Sequence, residues 1–571
     1  MQGLNKKAAP VALAAIILGA TTLALYWVFL VPILQAPDEA NHLNYAFNLY
    51  SAGRLISTRE PLHKWNDNLV GGHVWVEYLY RATNVDGIKF RLAAKVPEAY
   101  GTDQYYEMLD SNAPAEDSGR VNGLARIDYS LLTIYPCGYY ALLACWLKAI
   151  SLFSKHIVFL FFGARVLSVI LLAINLFLIY LTLLELRSSR WMACLFTAII
   201  AFFPMTSFVS SSVQADNLTL TMVMLSCLLA LKAKRTFNTR AIVLLGIALG
   251  GLCLTKYHFF AAVFPPVLGL AVAQNLVFRR RVEWPRLMAA LIAPACVAVL
   301  VQVWITHGSD TNVVLSNPST THIEMSRASA EGSIALAHFL FQGIGLAFSN
   351  FYLNGQSVLS GSTFNTFWGN FGWNDTLLVI FTPRFTHGLR EAIAVVDVIV
   401  FVLTVLRLAQ VTWRLIKVFR RGRRLRAMCI AFSNPLLNAY FLFTVMMFGL
   451  FMFVRNSFAP QGRNWFPLIL AIFLTSCSYA PRALGRGKIF GGLSKVLIAG
   501  LVIYCIVGSY YAIPSIKNRY FNEHYKKLPY YGVCLPGPNL ESLRTGSEAT
   551  SFKDEYLDPP APKNQPQLSD R

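Results

Sequence analysis

The sequence predicts an all-α integral membrane protein: a polytopic bundle of about 11 transmembrane helices with long external loops and interfacial helices. Three observations carry that reading. Hydrophobic residues make up 55% of the 571 and charged residues only 14%, where a soluble domain carries about 25% charged. Residues 8–37 hold no charge, a run longer than the ~20 apolar residues that cross a bilayer. Comparable runs recur as far as residue 511, separated by short basic tethers. Together these exclude a soluble multidomain enzyme, a secreted disulfide scaffold and a disordered chain.

Lys and Arg number 50 against 29 Asp and Glu, a net charge of +21. On a soluble chain that balance points to nucleic acid. Here 22 of the basic residues fall in six tethers between apolar runs: Lys6-Lys7, Arg187–Arg190, Lys232–Arg240, Arg279–Arg286, Arg414–Arg426 and Arg482–Lys488. Short loops rich in Lys and Arg stay cytoplasmic. The charge therefore reports topology, and no nucleic-acid partner is expected.

With every tether inside, helix 1 (about 9–34) runs outward and is retained, its apolar stretch being too long for a 7–15-residue signal-peptide core. It opens an external segment, 38–155, with an excess of acidic residues. Near its end, 131–153 is apolar but interrupted at Tyr135-Pro136-Cys137-Gly138. Counting it as a span would invert every later tether, so it reads as an interfacial helix anchored by Tyr135, Tyr139, Tyr140 and Trp146. Helices 2 (157–184), 3 (191–212), 4 (217–233), 5 (241–256), 6 (258–278) and 7 (287–306) follow. A second external segment covers 308–388. Helices 8 (389–413), 9 (435–454), 10 (465–480) and 11 (489–511) complete a transmembrane domain over 1–512. The tail 513–571 is left outside and reads as partly disordered, so the N-terminus is cytoplasmic and the C-terminus external. The ten cysteines show neither a disulfide framework nor a metal-site spacing.

This topology, drawn from basic residues alone, collects the unusual polar residues on one side. Asp38, Glu39 and His42 follow helix 1; Asp216-Asn217 separates helices 3 and 4; Lys256 and His258 lie between helices 5 and 6. Gln461 and Arg463 lie between helices 9 and 10, and Arg165 sits two turns inside helix 2. Each has a bland reading: Asp38-Glu39 as solvated loop, Asp216-Asn217 as a helix cap, Lys256 as a snorkelling cation. Arg165 cannot shed its charge and needs an acidic or phosphate partner. Their convergence at one depth favours a site. Carboxylates there suit a general base toward a hydroxyl, and fixed cations suit a phosphate leaving group.

Pro37-Asp38-Glu39-Ala40-Asn41-His42 and Ala52-Gly53-Arg54-Leu55 resemble the first external loop of C-type (GT-C) glycosyltransferases. The order continues with Tyr135-Pro136, Gly163-Ala164-Arg165, Asp216 and Thr255-Lys256, as in the aminoarabinose and protein O-mannosyl transferases. The chain is more similar to a bacterial family catalogued as domain of unknown function number 2142. With it the chain shares the Pro-Asp-Glu and His, a Pro204–Ser211–Asp216 stretch, Gly372-Trp373-Asn374-Asp375 and Gln461-Gly462-Arg463. Two departures stand out: Tyr135 replaces the lysine of the aminoarabinose transferases, and Asn464 is an extra residue before the aromatic of the last element.

The resemblance implies a bacterial inner-membrane glycosyltransferase that moves a sugar from a polyprenyl-phosphate donor to a cell-envelope glycan or lipid acceptor on the external face. Asp38 is then the general base, with Glu39 or Asp216 orienting the acceptor. Lys256, Arg463 and Arg165 hold the phosphate, and His42, Trp373 and Asp375 shape the sugar pocket. His258 and Gln461 are further substrate-binding candidates. No Asp-x-Asp metal motif occurs in the first loop, so no metal site is assigned, and a divalent cation stays open. Two alternatives stay open: a polysaccharide polymerase or ligase using lipid diphosphate donors, and a transporter or flippase of lipid-linked sugars.

Overall fold

A computed structural model describes residues 2–31, 36, 39–56, 136–155, 157–186, 189–236, 239–256, 260, 263–264, 284–306, 370–371, 376–377, 409, 412–420, 422 and 500–514. Helix α1 spans Gln2–Leu30, α2 Glu39–Ala52, α3 Gly138–Ile150, α4 Ile157–Glu185 and α5 Arg190–Ala201. Then come α6 (Pro204–Ser210), α7 (Asp216–Thr236), α8 (Thr239–Thr255) and α9 (Trp284–Thr306). The last, α10, covers Gly500–Pro514. Strands β1 (Asn370–Phe371) and β2 (Thr376–Leu377) pair antiparallel, Asn370 opposite Leu377 and Phe371 opposite Thr376. The described residues are otherwise helical, as expected for the class; the residues between the two strands carry the Gly-Trp-Asn-Asp motif.

Among the described residues three helical stretches are long and apolar enough to cross a membrane: Ala8–Leu30, Phe159–Glu185 and Asp216–Ala233. The bent pair α5 and α6 makes a fourth if it is one span. The expected count of 11 is not reached among these residues. Expected helices 9 and 10, most of 6 and nearly all of 8 lie outside them. The apolar parts of α8 (Arg240–Thr255) and α9 (Ala290–Ile305) are shorter than the ~20 residues of a full span. Residues 412–420 continue as helix into the basic tether, where an end at 413 was expected.

Two local differences have clear causes. Expected helix 3 (191–212) is broken at Phe202-Phe203, and the chain turns by 65° into α6. Pro204 is the reason: it has no N–H to give the preceding turn but suits the first position of a new helix. Helix α2 was expected to be loop. Its residues His42, Tyr45, Phe47 and Leu49 are buried, and it stops at Gly53, which takes φ 65° as a left-handed C-terminal cap. Helix α3 has 13 residues, about 20 Å, too short for a ~30 Å hydrocarbon core. It packs on α2 and α4, and its Trp146 Nε1 donates to Gly163 O of α4 at 2.7 Å.

The bundle is assembled by neighbours: α1 on α4 and α5, α4 on α7, α7 on α8, α8 on α9. The last contact is backbone against backbone. A Cβ on Gly246 would collide with Ala290 O, and one on Gly250 would lie 2.8 Å from Pro294 O. This is the small-xxx-small approach that lets membrane helices meet closely. Gly246→Ala is therefore expected to destabilise by ~1–3 kcal/mol through overpacking. Gly251→Ala is expected to do less, because its Cβ would meet the flexible Met222 thioether at 2.9 Å. Thermal unfolding of both variants in one detergent checks the contrast.

Candidate functional site

The site is built where α1 ends. A helix leaves its last carbonyls without partners, and in an apolar setting something must meet them. Arg165, just over two turns into α4, does so: its Nη1 donates to Val28 O at 2.8 Å and to Val31 O at 2.5 Å. Its remaining edge faces Glu39, with Nε to Oε1 at 2.8 Å and Nη2 to Oε2 at 2.7 Å. Both side chains are fully buried, and the Phe161 ring lies 4.5 Å from the guanidinium. A bidentate fork of this kind is the strongest form of carboxylate pairing.

Glu39 reaches further. Its Oε1 also accepts from Val213 N at 3.0 Å, tying the start of α2 to the chain between α6 and α7. That stretch, Ser210 to Asn217, is rich in polar residues and almost wholly buried. Non-helical backbone at such depth is tolerated only where protein or a cavity surrounds it. Several polar groups in and around it are met by near neighbours. Ser168 Oγ donates to Ser212 O at 2.7 Å, and Asn217 Nδ2 donates to Val209 O at 3.0 Å. Asn175 Nδ2 donates to Asn217 O, also at 3.0 Å.

Three residues beyond Val213, Asp216 opens α7 and forms an ion pair with Lys256, which follows the last residue of α8. An acid at a helix N-terminus and a cation at a helix C-terminus are each favoured by the helix dipole, so antiparallel α7 and α8 hold the pair between their ends. Both side chains are 15% exposed, unlike the sealed Glu39–Arg165 pair. This second pair is the accessible one.

Helix α3 closes the group from the side. A Cβ on Gly138 would lie 2.8 Å from Leu254 O, so the Pro136-Cys137-Gly138 turn seats against the end of α8 beside Lys256. Tyr140 Oη and His42 Nδ1 are hydrogen-bonded at 2.7 Å, and the Tyr45 ring stacks on Tyr140 at 4.2 Å. The Tyr139 hydroxyl is held protonated, mainly by burial, with the Glu39 and Asp216 carboxylates adding to the effect. Tyr139 thus lies within electrostatic reach of both carboxylates. Burial also pushes the Cys137 thiol up to about 11, leaving it an inert core residue.

Of the residues singled out in the sequence, the structure brings together Glu39, His42, Arg165, Asp216 and Lys256. Asp38, His258, Trp373, Asp375, Gln461 and Arg463 lie outside the described residues. Strand β1, which immediately precedes Gly372–Asp375 in the sequence, contacts α6. Arg165 differs from expectation: four of its donor contacts go to Glu39 and to α1, so its acidic partner is within the chain. Sequence reasoning missed that pairing although it named both residues. Tyr140, read from the sequence as an interfacial anchor, is instead buried and bonded to His42; Asn175 was missed, although a lone amide in an apolar helix was an available signal. Among the described residues no three His, Cys, Asp or Glu side chains cluster as metal ligands.

No curated protein matches this chain. The crystal structure of an Archaeoglobus fulgidus oligosaccharyltransferase in its apo form is similar with a TM-score of 0.31 and 12% identity. That match covers 97% of this chain and 60% of the other, so the chain spans less than two thirds of that protein's length. Residues 22–472 match the family described as "Predicted membrane protein (DUF2142)". That span begins inside α1 and takes in every segment that builds the two ion pairs, and the chain accordingly belongs to the DUF2142 family of membrane proteins.

Proposed function

We propose that the protein is a lipid-phosphate-sugar-dependent glycosyltransferase, working at the outer face of a bacterial inner membrane. The observation that carries this reading is the division of labour between two carboxylate–cation pairs at one end of the bundle: one sealed, one accessible. The sealed pair positions. Glu39 and Arg165 bind the end of α1, the start of α2 and the approach to α7 into one unit. The accessible pair offers a cation for a phosphate and a carboxylate for a hydroxyl.

In this reading the donor is a polyprenyl-phosphate sugar and the acceptor a cell-envelope glycan or lipid. The acceptor oxygen bonds to the anomeric carbon, and the anomeric bond to the phosphate oxygen breaks with its electron pair passing to the phosphate. Asp38, adjacent in the chain to the anchored Glu39, takes the acceptor proton. Asp216 orients the acceptor hydroxyl, and Lys256, with Arg463, neutralises the departing phosphate. His42, Trp373 and Asp375 shape the sugar pocket, with His258 and Gln461 at its edge. Arg165 and Glu39 act as positioning residues, because their polar atoms are already engaged.

Asp38→Asn tests the assignment. Purified protein in lipid is supplied with radiolabelled polyprenyl-phosphate sugars and envelope acceptors. Wild type is expected to consume one donor, and the variant, folded to the same melting temperature, is expected to lose at least 100-fold in rate. Full activity in the variant, or no turnover of any donor by wild type, overturns the reading.

A further inference from the structure

Beside Asp216 lies a small cavity, about 20 Å³, lined by Asp216 itself together with Asn175, Thr206, Ser210, Asn217 and apolar residues of α4, α5, α6 and α7. Two polar atoms of these lining residues have no hydrogen-bond partner among the described residues: Thr206 Oγ1 and Asn175 Oδ1. Both residues are buried, at 3% and 1% exposure. Unmet polar atoms at such depth are costly and rare in folded proteins. Thr206, Asn175 and Asp216 all line this one space.

We propose that Thr206 and Asn175 form a second seat for the Asp216 carboxylate, which it takes when a lipid phosphate displaces it from Lys256. The inference rests on the function proposed above and adds two positioning residues to it. While Asp216 holds Lys256 the pair is neutral, and an arriving phosphate oxygen meets a carboxylate of like charge. Once the carboxylate turns into the cavity, Lys256 presents a full positive charge to the phosphate. The displaced carboxylate is stabilised in three ways. It stays at the N-terminus of α7, where the dipole favours an anion. It can accept from the Thr206 hydroxyl. If it gains a proton, it can donate that proton to Asn175 Oδ1, an acceptor left over because the amide nitrogen is committed to Asn217 O.

The test is a double-mutant cycle read as binding, with no turnover required. Full-length protein in nanodiscs is titrated with a polyprenyl monophosphate, the neutral polyprenol serving as control, and bound lipid is measured by native mass spectrometry. Asp216→Asn, which removes the competing carboxylate, is expected to tighten phosphate binding about tenfold, and Lys256→Gln to weaken it to the level of polyprenol. Thr206→Val keeps the side-chain shape and removes the second seat, so it is expected to weaken phosphate binding roughly tenfold in the wild-type background. In the Asp216→Asn background it is expected to change nothing. An equal weakening in both backgrounds means that Thr206 acts only through packing, and overturns the proposal. Phosphate binding that depends on Lys256 but ignores Thr206 overturns it while sparing the proposed function. No preference for phosphate over polyprenol in wild type or Asp216→Asn overturns both.

Discussion

Arg165→Met is expected to remove about 3–5 kcal/mol of stability, the largest single loss we anticipate in this chain. The substitution leaves the Glu39 carboxylate buried without its cation and strips Val28 O and Val31 O of their donor. Glu39→Gln is expected to be damaging for the converse reason, a buried guanidinium without a counter-charge. The double variant Glu39→Gln, Arg165→Met is expected to be more stable than the sum of the two losses implies, because no uncompensated charge remains. Arg165→Lys keeps the charge but cannot reach two carboxylate oxygens and two carbonyls with one ammonium, and is expected to fall between wild type and Met. Unfolding midpoints in a single detergent, by heat or by SDS titration, rank the four proteins. A midpoint for Arg165→Met within 2 °C of wild type refutes the positioning role.

Lys256→Met is expected to behave oppositely: a modest change in stability and a loss of about 100–1,000-fold in sugar transfer, the usual effect of deleting one group that stabilises transition-state charge. Lys256 is accessible, and its loss leaves Asp216 at a helix N-terminus where an unpaired carboxylate is tolerated. The exchange Asp216→Lys with Lys256→Asp separates structure from chemistry. It restores an ion pair between the same helix ends, and so should recover part of any lost stability. It also moves the cation to the α7 side, and should not recover transfer. Initial rates with saturating donor, beside unfolding midpoints on the same preparations, give both answers. Recovery of transfer in the exchanged protein means that the pair is merely structural.

Much of this was legible in the sequence because it follows from charge and apolar length. The boundaries of α4 differ from expectation by one residue, and α7 begins one residue earlier, with Asp216 at its head. Placing the basic tethers on one side was enough to group Glu39, Arg165, Asp216 and Lys256, and these do converge. Their pairing was not legible. Arg165 and Glu39 are 126 positions apart, and nothing local distinguishes an arginine that meets a lipid phosphate from one that meets a carboxylate in its own chain. The break at Pro204 was visible as a residue but was absorbed into an apolar run, since hydropathy averages over a proline that dihedral geometry cannot. Helix α2 was hidden for the opposite reason. Its mixed composition reads as loop, and its buried face is covered by α3, a partner no local pattern announces.

The Glu39–Arg165 contact also sets a timetable for synthesis. With 126 residues between the partners and chain growth of about 5–20 residues per second, Glu39 leaves the ribosome roughly 6–25 s before Arg165. Throughout that interval the end of α1 has no guanidinium to meet its carbonyls, and the carboxylate has no cation. Helix α1 must wait at the bilayer surface or beside the insertion machinery with that end wet. The first hairpin of this protein therefore becomes fully membrane-compatible only when α4 arrives, so a ribosome stalled between residues 52 and 157 should expose a nascent chain that is unusually open to chaperones and proteases.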